Sequence, residues 1–208
     1  MKILILVLSC KKPPYDTLYE AQRRTWDSVD VSGVVTRYFW CDEVAVMPGV
    51  FRRTLDDSVD LMWDFIFRMN SSSYVDKVML KAFAETLPRE RCYCGIDGGG
   101  FASGSGFFLS RDMVEVLRRG LPERHDGLIE DQVAGQVLTA AGFSVSSRAE
   151  RYDFWQREFE RGFYGRSVKD EEAAIRAAYH VRCKSNDADR GKDVVAFEAV
   201  HRIKMEGT

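Results

Sequence analysis

A glutamate and an aspartate stand side by side at positions 130 and 131, opening the stretch IEDQVAGQVLTAAG (Ile129 to Gly142), whose apolar spacing predicts a helix. Two carboxylates in a first helical turn complement the helix dipole, an effect of about 0.3–1 kcal/mol each. They can also do chemistry. A carboxylate fixed at a helix N-terminus is a rigid base, and if Asp131 faces a bound hydroxyl it takes that proton as the oxygen attacks. Two further stretches suggest what it would face. CGIDGGGFASGSGFFLS (Cys94 to Ser110) places six glycines before Phe107, Phe108 and Leu109. Glycine lets a backbone lie flat against a bulky ligand such as a sugar ring, and equally permits a plain bulge at a strand entry. Gly104-Ser105-Gly106 leads into strand-like residues and not a helix, so this is no dinucleotide fingerprint. The second stretch is Asn70-Ser71-Ser72-Ser73, whose short amide and hydroxyl groups suit a ribose or a phosphate. Its plainer role is to cap a helix beginning at Val75, with Asp76 favouring that helix's dipole. Just before it, Arg68 closes an apolar run, and a buried arginine needs either a diphosphate or a carboxylate such as Asp64.

The elements that must position these groups follow from periodicity. Ile3 to Leu8 is an unbroken apolar run, as in a strand covered on both faces. Val34 to Trp40 and Trp63 to Met69 read as further strands, and Phe107 to Leu109 as the strand after the glycines. Helices are predicted over Tyr15 to Val29, Val75 to Leu87, Arg111 to Gly120 and Ile129 to Gly142, with a short strand at FSVSS (143–147). Another helix runs from a Ser167 cap through SVKDEEAAIRAAYHVRC, and an amphipathic segment covers Asp193 to Met205. The expectation is one domain over residues 1–208, an α/β fold with a mostly parallel central sheet flanked by helices. In such sheets ligands sit beyond the carboxyl ends of the strands, which is where the loops after Leu8 and Met69 lie.

Composition removes several classes of function. A net charge of −2 lacks the basic footprint of a nucleic-acid binder, so any anionic ligand must be met by local cations. Five cysteines without zinc-ligand spacing point to a reducing compartment. The apolar run at Ile3 to Leu8 is shorter than the roughly 7–15 residues of a secretory leader, so a cytoplasmic location is expected. No stretch approaches the ~20 apolar residues of a membrane span.

Three separated segments carry a resemblance. AQRRTW (Ala21 to Trp26), FASGSGFFLS (Phe101 to Ser110) and EDQVAG (Glu130 to Gly135) are similar in order and spacing to motifs of β-1,3-galactosyltransferase-like enzymes. These are inverting, nucleotide-sugar-dependent glycosyltransferases of the GT-A fold, and the compact chain resembles those that decorate the capsids of large algal viruses. The resemblance implies a UDP-sugar donor and a glycan or glycoprotein acceptor, in the host cytoplasm if the chain is viral. It puts Asp131 in the place of the general base, with Glu130 beside it. It makes Ser9 and Arg24 candidates to hold the nucleotide; Arg68, Asn70, Ser71, Ser72 and Lys184, by their own chemistry and place, and Ser103 and Gly104 of the glycine segment are the further candidates around the donor. The sugar would lie against Phe101 to Gly106. By residue type alone, Tyr152, Phe154 and Trp155 either stack on an acceptor sugar through their apolar faces or form part of the core, the commoner fate of such a cluster.

The chain departs from the family at one point. Where the family has an acidic D-x-D cluster for Mn²⁺ or Mg²⁺, this sequence has Asn70-Ser71-Ser72, and hard cations prefer carboxylates. Asp76 and His180 are the substitute ligands on offer; alternatively Arg182 and Lys184 offset the diphosphate charge directly. A catalytically silent nucleotide-sugar or glycan-binding module is the rival reading.

Overall fold

The computed structural model describes residues 1–13, 15–153, 168–184 and 190–206. Its centre is a five-stranded sheet in the order β2-β1-β3-β6-β5. These are β1 (Ile3–Ser9), β2 (Val34–Trp40), β3 (Phe65–Asn70), β5 (Tyr93–Asp97) and β6 (Ala102–Ser110). β1 runs parallel to both β2 and β3, while β6 pairs antiparallel with β3 and with β5.

The alternation of β1 divides the core. Ile3, Ile5 and Val7 pack with α1 (Tyr15–Arg24), α3 (Lys77–Ala84) and α7 (Gly191–Met205) through Leu18, Leu80 and Phe197. Leu4 and Leu6 face the other way, onto α2 (Met47–Asp56), α4 (Arg111–Gly120) and α5 (Glu130–Ala140) through Phe51, Leu117 and Val133. Helices on both faces are what a strand apolar at every position requires.

A smaller sheet, β4-β8-β7, joins Ser73–Val75, His180–Arg182 and Tyr152–Asp153. It corrects two sequence expectations. The helix expected from Val75 starts at Lys77, because Ser73 to Val75 pair with β8 and Asp76 is the N-cap. The helix expected through Cys183 ends at Ala177 (α6, Val168–Ala177), and His180 to Arg182 form a strand. Helix α1 stops at Arg24, short of the expected Val29; Thr25 turns its hydroxyl back onto the Ala21 carbonyl at 2.6 Å, and Trp26–Ser28 is a 3₁₀ turn. The strand expected at FSVSS is reduced to a single bridge between Ser146 and Cys94. The Ser167 cap lies outside the described residues.

Candidate active site

Three buried side chains, Arg68, Glu130 and Asp131, gather around one glycine, Gly104. Arg68 sits on β3 opposite Phe107 of β6 and is 2% exposed. Its Nη1 donates to the Gly104 carbonyl and its Nη2 to Glu130 Oε2. The Gly104 amide donates in turn to Asp131 Oδ2 at 2.6 Å, and Asp131 Oδ1 accepts from the Gln132 amide at 3.0 Å. A Cβ at position 104 would stand 2.7 Å from Arg68 Nη1 and 2.7 Å from Asp131 Oδ2. The lack of a side chain therefore lets guanidinium and carboxylate close on the strand from two sides.

The two carboxylates differ in environment. Burial pushes the Glu130 carboxyl up to about 7; the Arg68 charge pulls it back and Asp131 pushes it further up. Glu130 Oε1 has no hydrogen-bond partner among the described residues. Asp131 keeps 7% of its surface against 2% for Glu130, so of the pair it is the one nearer solvent.

One residue along β6 the serine turn takes over. Ser73 Oγ donates to the Ser105 carbonyl at 2.6 Å. Asn70 Oδ1 gathers the Ser72 amide at 3.2 Å, Ser72 Oγ at 2.9 Å and Ser73 Oγ at 3.2 Å, which closes the turn on itself. Leu8 lies in register with Asn70, which brings the end of β1 here; Ser9 is 2% exposed and its Oγ has no partner among the described residues. The Cys183 amide donates to the Ser72 carbonyl at 2.8 Å, tying the end of β8 to the turn.

His180 lies between these groups. A Cβ on Gly106 would meet its Cε1 at 2.6 Å. The ring is hydrogen-bonded to the Ser105 backbone, and burial, reinforced by Arg151 and Arg182, pushes its pKa down to about 3. It is a neutral imidazole at pH 7, buried, with Nε2 unpartnered among the described residues.

The fold thus gathers Ser9, Arg68, Asn70, Ser71, Ser72, Ser103, Gly104, Glu130, Asp131 and His180 around the carboxyl ends of β1 and β3, with Lys184 two residues beyond β8. Two expected members lie elsewhere. Arg24 forms an exposed ion pair with Glu198 of α7 at 2.7 Å, so the surface and not the cleft holds its guanidinium. Asp76 is committed as the α3 cap, accepting from the Val78 and Met79 amides at 3.1 and 3.0 Å, and faces Lys204 at 3.5 Å. Arg68 finds Glu130 and not Asp64, which pairs with Arg89 at 2.8 Å. Phe154 and Trp155 lie outside the described residues; Tyr152 is in β7.

One group was missed. Arg151 reaches Ser105 Oγ and Ser103 Oγ with Nη1 while facing Asp153 at 2.9 Å. No local pattern marks it, because its partners lie 46 and 48 positions away.

The donor set speaks against a divalent cation. Among the described residues no three of His, Cys, Asp and Glu come together as a ligand group. Among the described residues the charges that act on His180 are Arg151 and Arg182, which repel a cation.

No family model matches the chain, and no curated protein matches it in sequence. Solved structures do. A glycosyltransferase involved in glycosylation of the major capsid of PBCV-1 superposes with a TM-score of 0.62 at 13% identity, covering 95% of this chain and 100% of that one. The apo form of the glycosyltransferase GlyE from Streptococcus pneumoniae TIGR4 gives 0.50 at 9% identity, covering 100% of this chain and 64% of that one. The likeness shows a GT-A-like glycosyltransferase fold. Among the described residues no helix is long and apolar enough to cross a membrane.

Proposed function

We propose that the protein transfers a hexose from a UDP-sugar to a hydroxyl of a glycan or glycoprotein acceptor, inverting the anomeric centre, with Asp131 as base. The observation that carries this is the junction at Gly104: one backbone residue links Asp131 on one side, and through Ser105 the Asn70–Ser73 turn on the other. A sugar seated over that segment has the carboxylate on one side and the strand-end hydroxyls on the other. Glu130 pairs with Arg68 and holds the start of α5 against β6, a positioning role.

In the step itself the acceptor O–H gives its proton to Asp131 while the oxygen forms a bond to the anomeric carbon. The bond from that carbon to the diphosphate breaks on the opposite face, and UDP leaves with the electron pair.

The test is incubation with a panel of UDP-sugars and simple glycan acceptors, with UDP release and the anomeric configuration of the product followed by NMR. Transfer with inversion is expected. A rival reading, a silent nucleotide-sugar or glycan-binding module, draws on Asn70-Ser71-Ser72 standing where carboxylates would serve a metal. It predicts UDP binding with neither transfer nor hydrolysis.

A further inference from the structure

Cations surround the end of the cleft where Asn70-Ser71-Ser72 stands. Arg151 donates to Ser105 Oγ. Arg182 lies on β8 between Ser73 of β4 and Asp153 of β7, and its Nε is buried without a partner among the described residues. Lys184 follows two positions on. Arg190 donates to Asp193 Oδ2 and sits 5.4 Å over the ring of Tyr15, at the far end of the loop that leaves β1. The four are close enough to perturb one another: burial, Arg151 and Arg190 push Arg182 down, and burial, Arg182 and Arg190 push Lys184 down. Among the described residues three carboxylates answer these four cations, Asp153 and Asp193 nearby and Asp131 across the strand, so that of these groups one positive charge is left over. Guanidinium groups do not relieve such repulsion by losing protons. An anion relieves it.

The same place is unsuited to a divalent cation. Hard cations prefer carboxylate oxygens, the turn supplies only an amide and hydroxyls, and Asp76 is spent on its helix. We propose that Arg151, Arg182, Lys184 and Arg190 hold the donor's diphosphate directly, where a divalent cation would otherwise sit, so that nucleotide binding and transfer proceed without metal. This rests on the nucleotide-sugar reading above. As the bond to the anomeric carbon breaks, the charge arriving on the diphosphate is met by N–H donors already in place, which need no reorganisation.

Calorimetric titration of UDP into the whole chain, first in EDTA and then with Mn²⁺, tests it. UDP is expected to bind in EDTA, with Mn²⁺ changing the affinity less than about threefold, far below the effect of losing a charged hydrogen bond. Arg182→Gln is expected to weaken UDP roughly 10- to 100-fold while leaving uridine, which has no phosphate, unchanged. Lys184→Gln, at a less enclosed position, provides the same comparison if Arg182→Gln does not fold. Variants that bind UDP like the wild type, or UDP binding that requires Mn²⁺, overturn the cradle and leave the donor reading standing. Failure of UDP to bind folded protein under either condition overturns both.

Discussion

Adding one methyl group at Gly104 perturbs the site at its junction. The new Cβ would stand 2.7 Å from Arg68 Nη1 and from Asp131 Oδ2, closer than real carbons approach such atoms. Neither neighbour is free to give way. Arg68 is held by Glu130 and the Gly104 carbonyl, and Asp131 is tied to the start of α5. Overpacking of this kind costs about 1–3 kcal/mol. Relief by moving Asp131 sacrifices the 2.6 Å bond from the Gly104 amide, and hydrogen bonds to charged groups are worth about 1.5–3 kcal/mol. The two routes are alternatives and the cheaper one sets the cost, so Gly104→Ala is expected to destabilise by about 1–3 kcal/mol, lowering Tm by roughly 2–12 °C. Urea unfolding followed by tryptophan fluorescence measures the first quantity. Activity supplies the second, since a displacement near 1 Å at the reacting groups costs about a hundredfold. Gly127→Ala is the control: its φ of +101° strains any side chain, but nothing lies within 4 Å of the added atom. It should cost about 1–2 kcal/mol and leave turnover alone. If Gly104→Ala is as stable and active as the wild type, the close approach of Arg68 and Asp131 is not what the site depends on.

Other outcomes follow from the same contacts. Gly106→Ala should drive His180 and Phe67 off their present packing, since the added atom would lie 2.6 and 2.5 Å from them, at a cost of about 1–3 kcal/mol read by thermal unfolding. Asp76→Ala should remove the α3 cap for about 0.5–2 kcal/mol and leave UDP binding unchanged; a lost or newly metal-dependent affinity would return Asp76 to the site. For Glu130 the folded pKa, near 7, lies above the ordinary 4.5, so its contribution is whole below about pH 4.5 and is lost as pH rises through 7. The stability of the wild type relative to Glu130→Gln should fall across that window, and a difference that stays flat with pH would contradict the burial of this acid.

What the chain discloses before folding follows the range of each interaction. The run Ile3 to Leu8 announces β1 because a strand covered on both faces has no polar position, and Asp112 with the apolar spacing of Met113, Val114 and Leu117 announces α4. His180 to Arg182 do not announce β8: three residues have no period of their own, they follow the helical AAIRAAY, and only pairing with Ser73 to Val75 makes them a strand. Helix α2 was likewise hidden, since Pro48 reads as a breaker until it occupies a first turn, where its missing N–H costs nothing. At the site, Asp131 and the glycines were visible as residue types. The Arg68–Glu130 pair spans 62 positions and the Arg151–Ser105 contact 46, and nothing local encodes either. Asn70 to Ser73 allowed both a helix cap and a ligand turn, and tertiary pairing made them a closed turn leading into a strand.

The most direct trial of the central claim is the rate of sugar transfer by Asp131→Asn, measured beside its UDP affinity. A general base contributes about 10²–10⁴-fold, so transfer should fall by that factor while UDP still binds, because the amide keeps an acceptor for the Gly104 N–H. Transfer by Asp131→Asn at the wild-type rate would contradict the assignment.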